Sequence, residues 1–330
     1  MKRKGHLMEQ ILSLDNLYLA YQKACRGKKR KQEVLRFAAN FDDNIARMRK
    51  EMADGSIAIG NYHYFTIHDP KERIICAAPF EERVLQHAIM NVCHPVFNKG
   101  LIETTFATRK EKGVYAALDK AVEAITKYPF SVKLDFRKYY DSISHDLLKS
   151  KLRRLFKDPK LLALFDRIID SYQVEEGRGL PIGNLTSQYF ANLYLSDLDH
   201  KAKEVWKVPI YIRYMDDILM VANQRLELKQ NVKDLTTFSS QVLKLSLKPP
   251  IFRKNQQGQI FLGYRILPHH YRLSGRSKRR YRHKLLTYQR LLHDEKWSEQ
   301  EYSEHILPLL SFALHAESKG FRKSCLEISR

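Results

Sequence analysis

Two adjacent carboxylates, Asp216 and Asp217, lie between apolar stretches of the chain. The flanking stretches, 208–214 and 218–222, are rich in apolar and β-branched residues, which predicts two strands joined by a tight turn. Aspartate is common in turns, so the two residues could simply be turn formers without a chemical role. If both strands are buried, however, neighbouring carboxylates repel each other unless a cation neutralises them, and such hard oxygen ligands suit Mg²⁺. The hairpin by itself therefore supports a metal-site hypothesis.

Asp135 ends another apolar stretch, 131–136, and could supply a third carboxylate. In a two-metal site the cations lie roughly 3.5–4 Å apart and stabilise the attacking and leaving oxygens of a phosphoryl transfer. An aspartate that follows a strand is often only a helix cap, and this simpler interpretation suits Asp141 and Asp146. We take Asp135 as the candidate third ligand because a two-metal site requires one.

The elements that must position these carboxylates alternate irregularly between helices and strands. Apolar residues at three- and four-residue spacing predict helices within 7–55, and Ser144 is placed to cap a later helix. The order lacks strict βαβ alternation, which favours an α+β fold with helices packed on one face of a small antiparallel sheet. The other predicted elements are a strand near 62–67, a turn at 71–73, a helix over 81–96, a loop with Gly177, Gly179 and Gly183, a helix through 190–198, an amphipathic helix near 226–245 and a strand pair over 249–267.

The 330-residue chain carries a net charge of +21, which favours a polyanionic partner because each cation placed near a phosphate releases counterions. A solvated basic surface, or one bound to anionic lipid, is the alternative. The run 28–31 could contact RNA or be a solvated linker. The basic residues of 272–290 predict a helix, which either binds the backbone of a nucleic-acid duplex or is simply exposed to solvent. Its candidate backbone-binding residues are Arg276, Lys278, Arg279, Arg280 and Arg282.

The four cysteines form no C-x-x-C pair, and their spacing suits neither a zinc cluster nor a disulfide scaffold. We therefore expect free thiols in a reducing compartment. The sequence shows no signal-peptide core and no apolar window long enough for a membrane span. A soluble intracellular protein without a membrane partner is the expectation.

Four motifs stand in a fixed order along the chain: Asp135-x4-Tyr140, then Gly183 before a helix, then Tyr214-Met215-Asp216-Asp217, then Phe261-Leu262-Gly263-Tyr264. Taken together, these ordered motifs resemble the palm of reverse transcriptases. The resemblance runs from about residue 73 to residue 264. It implies a right-hand polymerase with fingers, an antiparallel palm sheet backed by helices, and a helical thumb. Residues 1–60 would be a helical extension, 61–268 the fingers and palm, and 269–330 the basic thumb.

The resemblance also implies roles for single residues. Asp135, Asp216 and Asp217 would be the catalytic carboxylates and, with Phe136, would bind two Mg²⁺ ions, for which Mn²⁺ could substitute. The nucleotide-binding residues would be Arg73, Tyr140, Ile182, Gly183 and Gln188. Tyr140 would exclude a 2′-hydroxyl, and Arg73 would neutralise the triphosphate. The segment Phe261, Leu262, Gly263 and Tyr264 would position the primer. Lys248 either lies near the pyrophosphate or is an exposed lysine at a strand edge.

One loop is similar to that of the reverse transcriptases of diversity-generating retroelements. Many reverse transcriptases have Gln-Gly-x-x-x-Ser-Pro where this chain has Ile182-Gly183-x-x-x-Ser187-Gln188. The segments 78–88 and 106–113 agree with this resemblance. A glutamine at this position can hydrogen-bond the incoming nucleotide or the template, whereas an isoleucine can only make apolar contact. The polymerase should therefore discriminate less well against mispaired nucleotides. The subfamily resemblance implies error-prone copying of template adenines, although Ile182 could equally pack the junction between fingers and palm.

The implied partners are a template RNA, the cDNA and primer duplex, deoxynucleotides and a small basic oligomeric accessory protein, in the cytoplasm of a bacterial host. A group II intron, retron or defence reverse transcriptase is the second interpretation. The Ile182/Gln188 form and the lack of a maturase or endonuclease extension weigh against it. An RNA-dependent RNA polymerase is disfavoured by Tyr140. A catalytically inactive RNA-binding scaffold is a third interpretation from another class.

Overall fold

The computed structural model describes residues 2–68 and 72–327, with side chains through residue 325. The described chain divides into two compact units that interleave along the sequence. Unit 1 comprises Met1–Glu103, Arg137–Lys201 and Thr237–Ser246. Unit 2 comprises Thr104–Phe136, Ala202–Thr236 and Leu247–Arg330.

Unit 1 is mainly helical. An aromatic cluster of Tyr21, Phe37, Phe41 and Phe80 joins its first helices, with ring centroids 4.6–6.3 Å apart. Its helices are α1 (Met8–Ile11), α2 (Leu14–Ala24), α3 (Gln32–Ala39), α4 (Phe41–Asp54), α5 (Phe80–Lys99), α7 (Tyr139–Ser142), α8 (His145–Leu155), α9 (Pro159–Asp170), α10 (Leu185–Tyr194) and α11 (Ser196–His200). The strands β1 (His63–Ile67) and β2 (Arg73–Ala77) form an antiparallel hairpin.

Unit 2 is built on a four-stranded sheet with strand order β4-β5-β3-β6, in which every neighbouring pair is antiparallel. The strands are β3 (Phe130–Leu134), β4 (Ile210–Tyr214), β5 (Asp217–Ala222) and β6 (Ile251–Lys254). All of β5 except its first residue is buried. Helix α6 (Val114–Lys127) contributes buried residues to the same hydrophobic cluster as β4 and β5. This packing gives the central hairpin a rigid support.

A second sheet in unit 2 has the order β7-β8-β9 and is also antiparallel. Its strands are β7 (Gln259–Phe261), β8 (Tyr264–Leu267) and β9 (His270–Leu273). Three helices follow: α13 (Gly275–His293), α14 (Glu299–Leu314) and α15 (Lys319–Glu327). Ser298 forms a capping box with Glu301 at the start of α14. Helix α12 (Arg225–Gln241) begins in unit 2 and ends in unit 1.

The α+β class with antiparallel sheets is confirmed, and Ser144 caps α8 as predicted, since its side chain accepts a hydrogen bond from Leu147 N. Two predictions needed correction. The helix predicted to run to residue 245 ends at Gln241, and the segment 249–267 holds three strands shared between two sheets because β6 pairs with the distant β3. Of the turn predicted at 71–73, Lys71 lies outside the described residues and Arg73 is the first residue of β2.

The cysteines of the chain are buried free thiols, as predicted. Among the described residues, no helix is long and apolar enough to cross a membrane. The predicted division at residues 60 and 268 stays a prediction, because the compact units interleave rather than follow one another in sequence.

Candidate active site

The central sheet of unit 2 places Asp135 and Asp217 on neighbouring strands. Leu134 of β3 lies opposite Ile218 of β5, and continuing this antiparallel register by one residue sets Asp135 opposite Asp217. Asp216 occupies the turn between β4 and β5. Residues that are 82 positions apart in sequence therefore meet at one end of the sheet.

The turn itself is tight and strained. Tyr214 pairs with Asp217, which leaves Met215 and Asp216 as the two central turn residues. Met215 has a φ of 53°, a left-handed conformation that normally favours glycine. Strain of this kind persists only where the surrounding structure enforces it, and it is often found at functional sites.

Two lysines neutralise two of the three carboxylates. Lys248 Nζ donates a hydrogen bond to Asp135 Oδ2 at 2.6 Å, and its backbone nitrogen donates to the Asp135 carbonyl at 2.8 Å. Lys133 Nζ lies 2.8 Å from Asp217 Oδ1. Asp217 Oδ1 is buried, so this ion pair neutralises a carboxylate oxygen that solvent does not reach. Lys248 is thus not an isolated lysine at a strand edge.

Asp216 has no such lysine within ion-pair distance among the described contacts, and its electrostatic environment is correspondingly unfavourable. Burial, followed by the charges of Asp217 and Asp135, raises the pKa of the Asp216 carboxyl to about 6. The ammonium of Lys248 offsets this effect only partly. The charges of Asp217 and Asp135 therefore add to burial in disfavouring the ionised form of Asp216.

The donors at this end of the sheet fit a divalent cation of the Mg²⁺ type. The side-chain donors are carboxylate oxygens, and the raised pKa of Asp216 marks negative charge that a cation would neutralise. Within the described residues, no group of three or more Asp, Glu, His and Cys side chains is already arranged to hold a metal ion. Asp135 and Asp217 face lysines instead, so both ion pairs would have to open. Phe136, the fourth predicted ligand, follows Asp135 and forms a β-bridge with Leu247.

The predicted nucleotide-binding residues lie in unit 1, where hydrogen bonds gather several of them. Cys76 N donates to the Ile182 carbonyl at 2.8 Å, which fixes the loop against β2, the strand that begins at Arg73. Leu180 N donates to the Tyr140 carbonyl at 3.0 Å. The loop therefore connects the Arg73 strand with the Tyr140 helix.

Gly183 is required by close packing. Its φ is 119°, and a Cβ atom there would lie 3.0 Å from Ile75 Cγ2 and 3.2 Å from the Cys76 carbonyl oxygen. Ile182 is half-buried and Arg73 is exposed. Gln188 is half-buried on α10, the helix that begins two residues after Gly183.

The predicted primer-positioning segment forms the turn of the β7–β8 hairpin in unit 2. Phe261 pairs with Tyr264, and the turn residues Leu262 and Gly263 have φ values of 48° and 86°, as in a type I′ turn. Ser277 Oγ on α13 donates to the Gly263 carbonyl at 2.6 Å. This hydrogen bond ties the hairpin to the start of the basic helix.

The basic helix does not present its cations uniformly. Arg279 and Arg282 are exposed. Lys278 and Arg280 are half-buried and lie over the rings of Phe321 and Phe312, at 5.3 and 5.6 Å from the centroids. Part of this basic segment therefore stabilises the packing of unit 2. Arg276 is exposed at the first turn of the helix.

Two residues near the carboxylates were missed in the sequence. Lys133 stands two positions before Asp135, and this spacing places both side chains on one face of a strand, a signal that was available. Arg213 interrupts an apolar strand and is completely buried. A charged residue inside an apolar stretch was the corresponding signal.

Comparison with known proteins is consistent with this geometry. Residues 67–266 match the family described as Reverse transcriptase (RNA-dependent DNA polymerase). A telomerase from Candida tropicalis, solved with a fragment of telomeric RNA, aligns with a TM-score of 0.50 over 80% of this chain and 54% of its own, at 13% identity. The fold is thus that of reverse transcriptases. Because the family match covers more than half of the chain, the chain belongs to the reverse transcriptase family.

Curated relatives are distant. Protein YkfC of Escherichia coli is 22% identical over 250 residues, which are 62% of this chain and 65% of YkfC. The group II intron-encoded protein LtrA of Lactococcus lactis is 21% identical over 205 residues, covering 58% of this chain and 34% of LtrA. This chain therefore spans less than two thirds of the length of either relative.

Proposed function

We propose that this protein is an RNA-directed DNA polymerase in which Asp135, Asp216 and Asp217 are the catalytic carboxylates. The observation that carries the proposal is the register that sets Asp135 opposite Asp217, beside a turn occupied by Asp216. Bound divalent cations, which we take to be two Mg²⁺ ions held by these residues and the Phe136 carbonyl, would supply charge neutralisation for nucleotidyl transfer.

The chain's own residues would prepare the site for that chemistry. Lys248 pairs with Asp135 and Lys133 pairs with Asp217, so each of these two carboxylates has its own ammonium. In unit 1 the proposed nucleotide contacts are Arg73 for the triphosphate and Tyr140 for the sugar. The hairpin 261–264 would position the primer end, and the exposed cations of α13 would bind the duplex backbone.

Primer extension on an RNA template with Mg²⁺ tests the proposal. Asp216→Ala should abolish incorporation, whereas Asp54→Ala, which removes an exposed carboxylate at the end of α4, should leave it unchanged. Extension that survives Asp216→Ala would refute the assignment. A wild-type protein that binds RNA but extends no primer would instead support an inactive RNA-binding scaffold.

Within this function we propose that the protein copies a retroelement template RNA with errors at template adenines. The support is Ile182, whose backbone is fixed against Cys76 while its half-buried side chain can offer only apolar contact. A polar group would test base-pair geometry more stringently than an apolar one. The template RNA, a small basic oligomeric accessory protein and a bacterial cytoplasmic location belong to the same proposal.

Sequencing of cDNA made by Ile182→Gln tests this finer assignment. Adenine errors should fall several-fold relative to the wild type, while errors at the other template bases stay constant. A conservative Ile182→Val variant is the matched control, since it keeps an apolar side chain of similar shape. Equal adenine errors in wild type and Ile182→Gln would remove Ile182 from the explanation.

A group II intron-type reverse transcriptase is the second candidate, and the match to LtrA favours it. The two candidates differ in their products. Uniformly accurate cDNA from the wild-type protein would favour the intron-type function, and errors concentrated at template adenines would favour the retroelement.

A further inference from the structure

Arg213 is among the largest completely buried side chains in the described structure, with 0% of its surface exposed. Burying a guanidinium is costly unless its donors are used, since an arginine stays protonated even in a protein interior. A buried arginine one residue before the Tyr214–Asp217 turn therefore needs a specific structural purpose.

The side chain of Arg213 reaches forward to the turn. Its Nη1 donates a hydrogen bond to the Met215 carbonyl oxygen at 2.9 Å. This carbonyl belongs to the residue with the left-handed φ of 53°. A charged donor thus holds the peptide unit that the strained conformation orients.

The backbone of Arg213 is also hydrogen-bonded along the edge of β4 that faces away from β5. Its nitrogen donates to the Thr104 carbonyl, its carbonyl accepts from Phe106 N, and both distances are 3.0 Å. On the inner side it pairs with Ile218 of β5. The guanidinium is therefore anchored on a strand that has partners on both edges at this position.

Arg213 points to the face of the sheet opposite the one that carries Asp217. Ile212 and Tyr214 pack in the hydrophobic cluster that contains α6, so Arg213, between them, points to the other face. Asp217 is the cross-strand partner of Tyr214 and shares its face. Arg213 can hold the turn without occupying the space in which a cation and substrate would bind.

We propose that Arg213 is a positioning residue for the catalytic turn: its hydrogen bond to the Met215 carbonyl keeps the strained peptide, and with it Asp216 and Asp217, in the orientation needed for nucleotidyl transfer. The inference rests on the proposed polymerase function for its kinetic readout only. Its structural readout is independent of activity.

The kinetic test uses Arg213→Met, which keeps length and apolar packing, and Arg213→Lys, which keeps the charge but loses the fork of donors. Loss of one hydrogen bond from a charged donor should lower kcat for primer extension about tenfold to a hundredfold. The KM for the deoxynucleotide should change less than threefold, because the completely buried arginine would not contact the nucleotide. A kcat within twofold of the wild type in a folded Arg213→Met variant would overturn the proposal.

A second substitution separates positioning from simple support of the fold. Glycine adopts the left-handed conformation without strain, so Met215→Gly should reduce the need for the arginine. We expect Arg213→Met/Met215→Gly to recover at least fivefold of the kcat lost in Arg213→Met. Arg213→Met/Met215→Ala should recover none. If Arg213→Met does not fold, the same comparison is made in the Arg213→Lys background. Equal kcat values for the glycine and alanine double variants would overturn the proposal.

Hydrogen exchange of the metal-free protein provides the readout that needs no catalysis. Exchange in peptides covering residues 210–222 should accelerate at least tenfold in Arg213→Met, with unchanged exchange in α5 and α9. Unchanged exchange in the turn, or acceleration across every helix, would overturn the proposal. If the wild type extends no primer but the turn loosens locally, the proposed function fails and the positioning inference stands.

Discussion

Replacing Asp216 with asparagine is expected to stabilise the metal-free protein at neutral and alkaline pH. The carboxyl has an ordinary pKa of 3.8, which burial and the neighbouring Asp217 and Asp135 raise to about 6 in the folded protein. The folded state therefore holds the proton more tightly than the unfolded state. Asp216 contributes no destabilisation below pH 3.8 and becomes increasingly destabilising as the pH rises through 6.

The size of the effect follows from the two pKa values. One pKa unit corresponds to 1.36 kcal/mol, so the ionised carboxylate destabilises the folded state by roughly 3 kcal/mol above pH 7. Asparagine has nearly the same shape and no charge. For a chain of this size, we expect the melting temperature of Asp216→Asn at pH 8 to exceed that of the wild type by roughly 5 °C.

The assay is thermal unfolding in EDTA at half-unit steps between pH 4 and pH 8. The difference between Asp216→Asn and the wild type should be near zero at pH 4 and should grow through pH 6. Asp54→Asn, at an exposed position, serves as the matched control and should show no such trend. A difference that is absent at pH 8, negative there, or constant across the pH range would refute the electrostatic reasoning. Added Mg²⁺ should raise the melting temperature of the wild type more than that of Asp216→Asn.

Three further outcomes are expected. Gly183→Ala should lose about 1–3 kcal/mol of stability and raise the KM for deoxynucleotides, because its Cβ would collide with Ile75 and Cys76 of β2. An unchanged melting temperature would contradict this prediction. Lys133→Met should destabilise the metal-free protein by about 1 kcal/mol through loss of the ion pair with Asp217, a loss that saturating Mg²⁺ should largely reverse in thermal unfolding. Arg282→Ala should weaken duplex binding, and the slope of log binding constant against log salt concentration should fall in magnitude by about 1, while the melting temperature stays unchanged. Arg280→Ala should also lower the melting temperature, because Arg280 lies over the Phe312 ring. Equal stability of the two variants would contradict the stacking of Arg280.

Local patterns predicted the elements around the site well. The apolar stretch 218–222 is strand β5, the stretch 131–136 contains β3, and Ser144 caps α8. Both patterns, the apolar residues of a strand and the hydroxyl that caps a helix, depend only on residues close together in sequence. This is why the β4–β5 hairpin and the strand that precedes Asp135 could both be predicted from the sequence.

Features that depend on distant partners were not predictable in the same way. Nothing local to 251–254 indicates that this strand pairs with β3 rather than with the next hairpin. The pairing of Arg213 with Thr104 and Phe106 likewise joins segments about a hundred residues apart. The ion-pair partners belong to this class as well. The spacing of Lys133 and Asp135 places both on one face of β3, but strand register decides that Lys133 pairs with Asp217, and Lys248 reaches Asp135 from a distant segment.

The strand order β4-β5-β3-β6 also has a consequence for how the protein is made. Strand β3 is translated first but must wait for both of its neighbours, the nearer of which is completed 88 residues later at Ala222. Until then a strand that ends up buried has two open edges, the condition under which growing chains aggregate. The same delay keeps Asp135 away from Asp217 until the β4–β5 hairpin has emerged. A nascent chain therefore assembles the proposed cation site only when β5 has been made, in the same event that covers one open edge of β3.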